Sequence, residues 1–204
     1  MRIGILGTGT VAGALAESWS RKGHDVEVGG RSAAKAQALA KKVGVRAAPP
    51  REVVRDKDAV LLAVLWDGVE DVLRSAGAAE GSLSGTPLID PTNAVEHGVG
   101  VLLTSTSAAE RIAELAPGAH VVKAFHMFAA DQWGKEDADP VTVAMCGDDA
   151  DALRVVGELV RDAGGAPAVL GPLNRARQLE EAAGFVIGLA FSGFDPNSAV
   201  PRVG

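Results

Sequence analysis

The feature that most limits what this chain can fold into is Gly7-Thr8-Gly9-Thr10-Val11-Ala12, a G-x-G-x-x-A run directly after the apolar stretch Arg2-Ile3-Gly4-Ile5-Leu6. The first glycine of such a run permits a tight turn, and the second lets backbone approach a pyrophosphate. The small Ala12 allows a following helix to pack closely on the strand. A helix that starts there offers free N–H groups and partial positive charge to an anion. A lone G-x-G is a weak signal, but the context here supports it. Val11, Leu15 and Trp19 recur at fourfold spacing, Gly23 stands where a left-handed cap closes a helix, and a second apolar stretch follows at 25–29. Together these predict the first β-α-β unit of a dinucleotide-binding fold.

The rest of the chain continues the alternation. Short apolar runs at 45–47, 59–64, 87–90, 119–124, 141–146 and 166–170 read as strands. Helical patterns cover 32–43, 67–76, 108–115 and 148–163, with a short helical connection opened by Pro49-Pro50, and Ser32 and Asp67 stand as N-caps. Several strands are apolar throughout, as strands covered on both faces must be. The expected class is α/β: a Rossmann-like, doubly wound, mostly parallel sheet with helices on both faces. We expect a nucleotide-binding domain over 1–124 and a small substrate or dimerisation segment over 125–204, packed together as one compact unit. In that segment a polar stretch, 173–180, precedes a run at 182–191 that is apolar nearly all round, which needs burial in the protein or against a partner. Its small residues suit close approach, so a homodimer through this helix is expected.

The end of the second strand bears on which nucleotide is held. Sites for NAD place an acid there to hold the ribose hydroxyls. This chain has Gly29-Gly30-Arg31-Ser32, then Lys35 one helical turn on. Gly30 removes the carboxylate that would repel a 2′-phosphate, Arg31 can bind that phosphate through paired hydrogen bonds, and Ser32, Lys35 and Thr8 add donors. NADP(H) is the expected cofactor, cradled by Gly7, Thr8, Gly9, Thr10, Val11 and Ala12. Its far end must cross the carboxyl ends of the strands, where Ala63, Val64 and Trp66 arrive, and Asn93 in Asp90-Pro91-Thr92-Asn93. Trp66 stacks beside the cofactor or packs under its loop. Asn93 bonds the nicotinamide or ribose, or steadies its own turn.

With Val122-Lys123-Ala124-Phe125-His126, Cys146-Gly147-Asp148-Asp149 and Gly171-Pro172-Leu173, these segments resemble the NADPH-dependent deazaflavin (coenzyme F420) oxidoreductases over nearly the whole chain. The resemblance implies hydride transfer between NADP(H) and F420 as co-substrate, a homodimer, and a cleft closed by the C-terminal helical segment. It also implies contacts from Thr8, Arg31 and Lys35 to the 2′-phosphate. His126, Met127, Leu173 and Arg177 would border the deazaflavin pocket. The sequence departs from the family pattern in its tighter glycine loop and in Asn174-Arg175-Ala176, where a serine-rich turn is usual.

His126 is the one candidate catalytic side chain, able to lend a proton or a hydrogen bond, or else to satisfy local backbone. His24, in a turn, reads as structural. Two further readings stay open. One is an NADPH-dependent reductase of a small imine or carbonyl, with His126 or Asp131 as proton donor. The other is a non-catalytic NADP(H)-binding sensor. There is no metal-ligand spacing and no nucleophile elbow, so no metal site is expected. Cys146 is the single cysteine and reads as a reduced strand residue. A net charge of −6 and an absence of Tyr argue against nucleic acid as partner. Without a span of ~20 apolar residues or a signal-peptide pattern, the expectation is a cytoplasmic protein acting on a small molecule, away from the membrane.

Overall fold

The computed structural model describes residues 1–96, 98–133 and 140–201. Its centre is one sheet in the order β3-β2-β1-β4-β5-β6-β7-β8. The first half of the chain supplies β1 (Arg2–Leu6), α1 (Thr10–Arg21), β2 (Asp25–Gly29), α2 (Ala33–Val43), β3 (Arg46–Ala47), α3 (Pro50–Val53), β4 (Ala59–Leu62), α4 (Val69–Ala76) and β5 (Pro87–Asp90). The second half adds α5 (Ala108–Leu115), β6 (His120–Lys123), β7 (Val141–Gly147), α6 (Ala150–Asp162), β8 (Gly165–Gly171) and α7 (Ala176–Phe191). Every neighbouring pair is parallel except β6 with β7, which run antiparallel with Lys123 opposite Cys146. The strands beyond residue 124 therefore extend the same sheet as those before it.

Alternation along the strands sorts the core into two layers. Ile3 and Ile5 of β1 and Leu61 of β4 join Leu15 and Trp19 of α1 and Leu159 of α6 on one face. Leu6, Val60 and Leu62 join Val53 of α3, Leu73 of α4, Ile112 of α5 and Leu179 of α7 on the other. The indole of Trp19, fully buried, donates to the Leu159 carbonyl at 2.9 Å and so ties α1 to α6. Strand order reverses on either side of β1, which opens a crevice beyond the carboxyl ends of β1 and β4. In open α/β sheets that is where ligands bind.

Local expectations hold at several element ends. Gly23 is left-handed at φ 83°, and the Ser32 side chain caps α2 by accepting from Lys35 N. Asp67 does not cap α4: a short 3₁₀ turn, Trp66–Gly68, precedes that helix, and no side chain bonds its first turn. The C-terminal helix also differs from expectation. It is continuous from Ala176, because Leu179, Glu180, Ala183 and Gly184 all face inward and join the polar stretch to the apolar one. Its small-residue face is taken by a loop of the same chain. Val95 and Leu102 form an antiparallel bridge, and the turn between them lies on Gly184 and Gly188. A Cβ on Gly184 would come within 2.1 Å of the Gly100 carbonyl oxygen.

Candidate active site

The glycine loop sits where the crevice opens. Gly7 adopts φ 145° and lies so close to β4 that a Cβ would stand 2.0 Å from the Ala63 carbonyl oxygen; only glycine fits. Its N–H donates to the Gly29 carbonyl at 2.7 Å, bringing the end of β2 alongside. At Gly9 the reason for glycine differs. A Cβ there would meet no protein atom within 4 Å, so the space above this residue is free for a ligand. Gly9 is also the N-cap of α1, and no side chain bonds the first turn of that helix. Elsewhere Ser32 caps α2, Ser107 caps α5 in a capping box, and Asp149 caps α6. α3, α4 and α7 share the lack of a side-chain cap, but at α1 it coincides with the open space over Gly9, so its first amides can receive an anion.

Beside this loop the sheet gathers the predicted cationic residues. Gly30 lies against Thr8, whose methyl would be 3.5 Å from a Cβ at Gly30. Arg31 is exposed and its guanidinium lies over the 3₁₀ turn, 3.8 Å from where a Cβ of Gly68 would stand; Val64 is at the same distance from that point. Lys35, one turn into α2, borders a groove of about 720 Å³ with Thr8, Gly9, Thr10, Asp131 and Trp133. Among the described residues neither Arg31 nor Lys35 has an acidic partner, and Lys42, on the same groove, has none either. Unpaired cations at the start of a helix oppose its dipole unless an anion offsets them. The donor set and the empty space over Gly9 fit a phosphorylated dinucleotide. Val11 is half-buried and Ala12 fully buried in the first turn of α1. Trp66 is half-buried against the core layer holding α4.

At the other end of the crevice the structure brings together residues that lie far apart in sequence. Asn93 Nδ2 donates to the His126 carbonyl at 2.8 Å. A carbonyl can only accept, so the amide is oriented, and its Oδ1 is buried without a partner among the described residues. His126 is 6% exposed, and neither ring nitrogen makes a well-formed hydrogen bond among the described residues, although the Leu179 backbone lies close enough to favour the protonated ring. Burial, reinforced by the Lys123 charge, pushes its pKa down to about 3, so the imidazole is neutral near pH 7. Phe125, just before it, is held at φ 63° with its ring edge-on to Trp19 and Trp133, at centroid distances of 6.0 and 5.0 Å. Such a backbone costs ~1–3 kcal/mol and persists only where packing enforces it.

The remaining predicted residues are placed as follows. Met127 is half-buried next to His126, and Leu173 is 9% exposed with its N–H bonded to Asp148. Arg177 is engaged by Glu181 at 2.9 Å and by the Ser105 carbonyl. His24 bridges the Met1 amino group and Asp162, a structural role as expected. Cys146 is buried and its thiol is pushed up to about 12 by desolvation, so it offers no nucleophile. The described residues contain no cluster of side chains suited to a metal. They also contain no helix long and apolar enough to cross a membrane.

Sequence reasoning missed a fully buried ionic group. Lys123, Asp90 and Glu180 are all fully buried. The Lys123 ammonium meets Asp90 at 2.9 Å, Glu180 at 2.7 Å and the Thr92 carbonyl. Asp90 also accepts from Thr92 N at 2.8 Å and Thr92 Oγ1 at 2.6 Å. Glu180 accepts from the first amides of α5, Ala108 N at 2.8 Å and Ala109 N at 3.3 Å. A lysine closing an otherwise apolar strand was the available signal; its partners lie 33 and 57 positions away in sequence, beyond any local pattern.

A doubly wound sheet, a glycine loop below an uncapped helix and a cationic flank are the features of a dinucleotide-binding protein of the Rossmann type. Residues 2–94 match the model of the family described as NADP oxidoreductase, coenzyme F420-dependent. Over 98% of its length the chain is similar to 99% of a candidate F420-dependent NADP-reductase from Arthrobacter sp. FB24, with TM-score 0.80 and 24% identity. It also resembles a reductive aminase from Aspergillus terreus solved with NADPH and ethyl-5-oxohexanoate, with TM-score 0.71 and 23% identity over 94% of this chain and 63% of that one. Among curated proteins it is 31% identical over 181 residues to the metalloreductase STEAP3 of Rattus norvegicus, covering 88% of this chain. The chain spans 36% of the length of that relative.

Proposed function

We propose that the protein moves a hydride between NADP(H) and the deazaflavin coenzyme F420. One observation carries the choice of nucleotide: Arg31 and Lys35 stand beside the glycine loop without a carboxylate partner, and Gly30 takes the place of the acid. The reduced nicotinamide, when bound, supplies the hydride. The chain supplies position. The α1 amides above Gly9 receive the diphosphate, with Thr8 and Thr10 at its sides, and Arg31, Ser32 and Lys35 hold the 2′-phosphate. Asn93 Oδ1, already oriented, accepts from a carboxamide N–H or a ribose hydroxyl.

His126 at a pKa of about 3 offers a neutral hydrogen bond and no imidazolium proton. Hydride arriving at deazaflavin C5 leaves delocalised negative charge at the N1 side of the ring, which takes one proton from water, so the chain need supply only orientation. Reduction of an imine, the reading favoured by the likeness to the reductive aminase, needs a proton donor in the transition state. Asp131, the other sequence candidate, is exposed to water. Met127 and Leu173 border the acceptor ring in the F420 reading, and Arg177 joins them only by leaving Glu181 and Ser105. The reading takes the protein as a cytoplasmic homodimer.

The test uses NADPH deuterated at C4, with oxidised F420, a flavin and a cyclic imine as separate acceptors. We expect stereospecific label transfer to deazaflavin C5. Transfer to the imine or flavin alone overturns the F420 assignment, and tight NADPH binding with no acceptor reduced leaves the sensor reading. Arg31→Ala should weaken NADPH binding by ~1.5–3 kcal/mol and leave NADH binding nearly unchanged, because it removes charged hydrogen bonds to one phosphate. Equal losses for both nucleotides contradict the NADP assignment.

A further inference from the structure

The buried Lys123 cluster has no part in the chemistry above, yet it joins β5, β6, α5 and α7 at the inner end of the crevice. Lys123 closes β6, and the chain reaches His126 three residues later. Its ammonium holds Asp90 at the end of β5, the Thr92 carbonyl in the turn before Asn93, and Glu180 on α7. Glu180 also takes the first amides of α5. Asn93 in turn bonds the His126 carbonyl. The circuit closes: Lys123, Thr92, Asn93, His126 and back along the chain to Lys123. Among the described residues, Asn93 Oδ1 has no hydrogen-bond partner and the His126 ring nitrogens make no well-formed one.

Stability alone is a weak reason for such a group. A buried ion cluster contributes little compared with apolar residues of the same volume, because desolvation offsets the attraction. What it does supply is fixed geometry. Three acceptors around one ammonium set the relative positions of the β5 turn, the β6 turn and α7. We propose that Lys123, with Glu180, is a positioning residue for the nicotinamide end of the bound dinucleotide, holding Asn93 Oδ1 and the His126 ring in place across the crevice. This rests on the NADP reading of the site. It makes no claim on the adenosine end, whose contacts come from β1, β2 and α2.

The experiment compares binding of NADP⁺ with binding of 2′,5′-ADP, which carries the 2′-phosphate and lacks the nicotinamide. Calorimetry on the full chain needs no acceptor. Four variants are used: Glu180→Gln, Lys123→Met combined with Glu180→Gln, Asn93→Ala, and all three changes together. In Glu180→Gln every neighbour of the side-chain oxygens is a donor, so the new amide nitrogen faces either Lys123 or the α5 amides whichever way it turns. The second change in the combined variant avoids leaving two buried carboxylates without their cation.

We expect 2′,5′-ADP to bind each variant within about twofold of the parent, since its contacts are untouched. NADP⁺ should lose about threefold in Glu180→Gln and tenfold or more in the combined variant. Adding Asn93→Ala to the combined variant should cost nothing further, because residues acting through one contact are not additive. The proposal is overturned if NADP⁺ affinity is unchanged in Glu180→Gln, if both ligands weaken alike, or if the Asn93 and Lys123 losses add. A parent protein that binds neither ligand refutes the NADP reading instead.

Discussion

At the scale of single residues, Arg31 and His126 show two ways in which a site is marked. Arg31 was legible because its signal is local: glycine, arginine, serine and then lysine at the end of a strand. The structure adds only that its guanidinium lies over Gly68 with no acidic partner among the described residues. His126 was named from sequence, but its state was not. A ring 6% exposed, with a pKa near 3, follows from α7 and Lys123 packed around it, and neither is a neighbour in a helix or strand pattern. This has a consequence for stability. The unfolded chain protonates this histidine as the pH falls through 6.5, whereas the folded chain does so only near 3. Stability from the neutral ring is therefore complete above pH 6.5 and is lost progressively down to pH 3, at roughly 1.4 kcal/mol per pH unit in mid-window. His126→Gln should make that acid limb shallower in urea melts run across the window; identical slopes would mean that the ring titrates normally.

At the scale of elements, apolar alternation located nearly every strand and helix, since burial on two faces leaves a period that can be read along the chain. The ends were harder. The 59–64 run yields a strand only to Leu62, because Gly7 comes against the Ala63 carbonyl and the chain turns away there. The glycines of α7 were read as a surface for another molecule, and the loop of residues 98–100 fills them. Gly184→Ala should undock this loop, as its methyl would need the space of the Gly100 carbonyl oxygen, at a cost of ~1–3 kcal/mol for the overpacked contact. Hydrogen exchange offers a direct check. The Glu96 and Leu103 amides, bonded to Val101 and Ala94 at 2.8 and 2.7 Å, should lose protection well before those of β1. Unchanged protection at both would show that the loop holds without the glycine contact.

At the scale of the whole molecule, the sheet runs unbroken from β3 to β8, and the second half of the chain is a continuation of the first. Its outer surface keeps large apolar side chains in water: Phe185 is 51% exposed, Phe194 67% and Val99 52%. Exposed apolar side chains of this size suit a contact, and the homodimer we propose would cover Phe185 and Phe194. Light scattering should give twice the chain mass at micromolar concentration. Phe185→Glu with Phe194→Glu should halve it and leave NADP⁺ binding intact. A parent protein that is monomeric under the same conditions would remove the dimer from the proposal.

The sequence by itself determined the class of fold, the glycine loop and the cationic flank, because each depends on residues within one turn or one strand-helix unit. Only the tertiary structure decided what surrounds His126, which way the Asn93 amide points and where Glu180 finds its partners. Those depend on β5, β6, α5 and α7 meeting at one end of the sheet. A buried charge has no periodicity to betray it; its partners are chosen by the fold that takes it out of water.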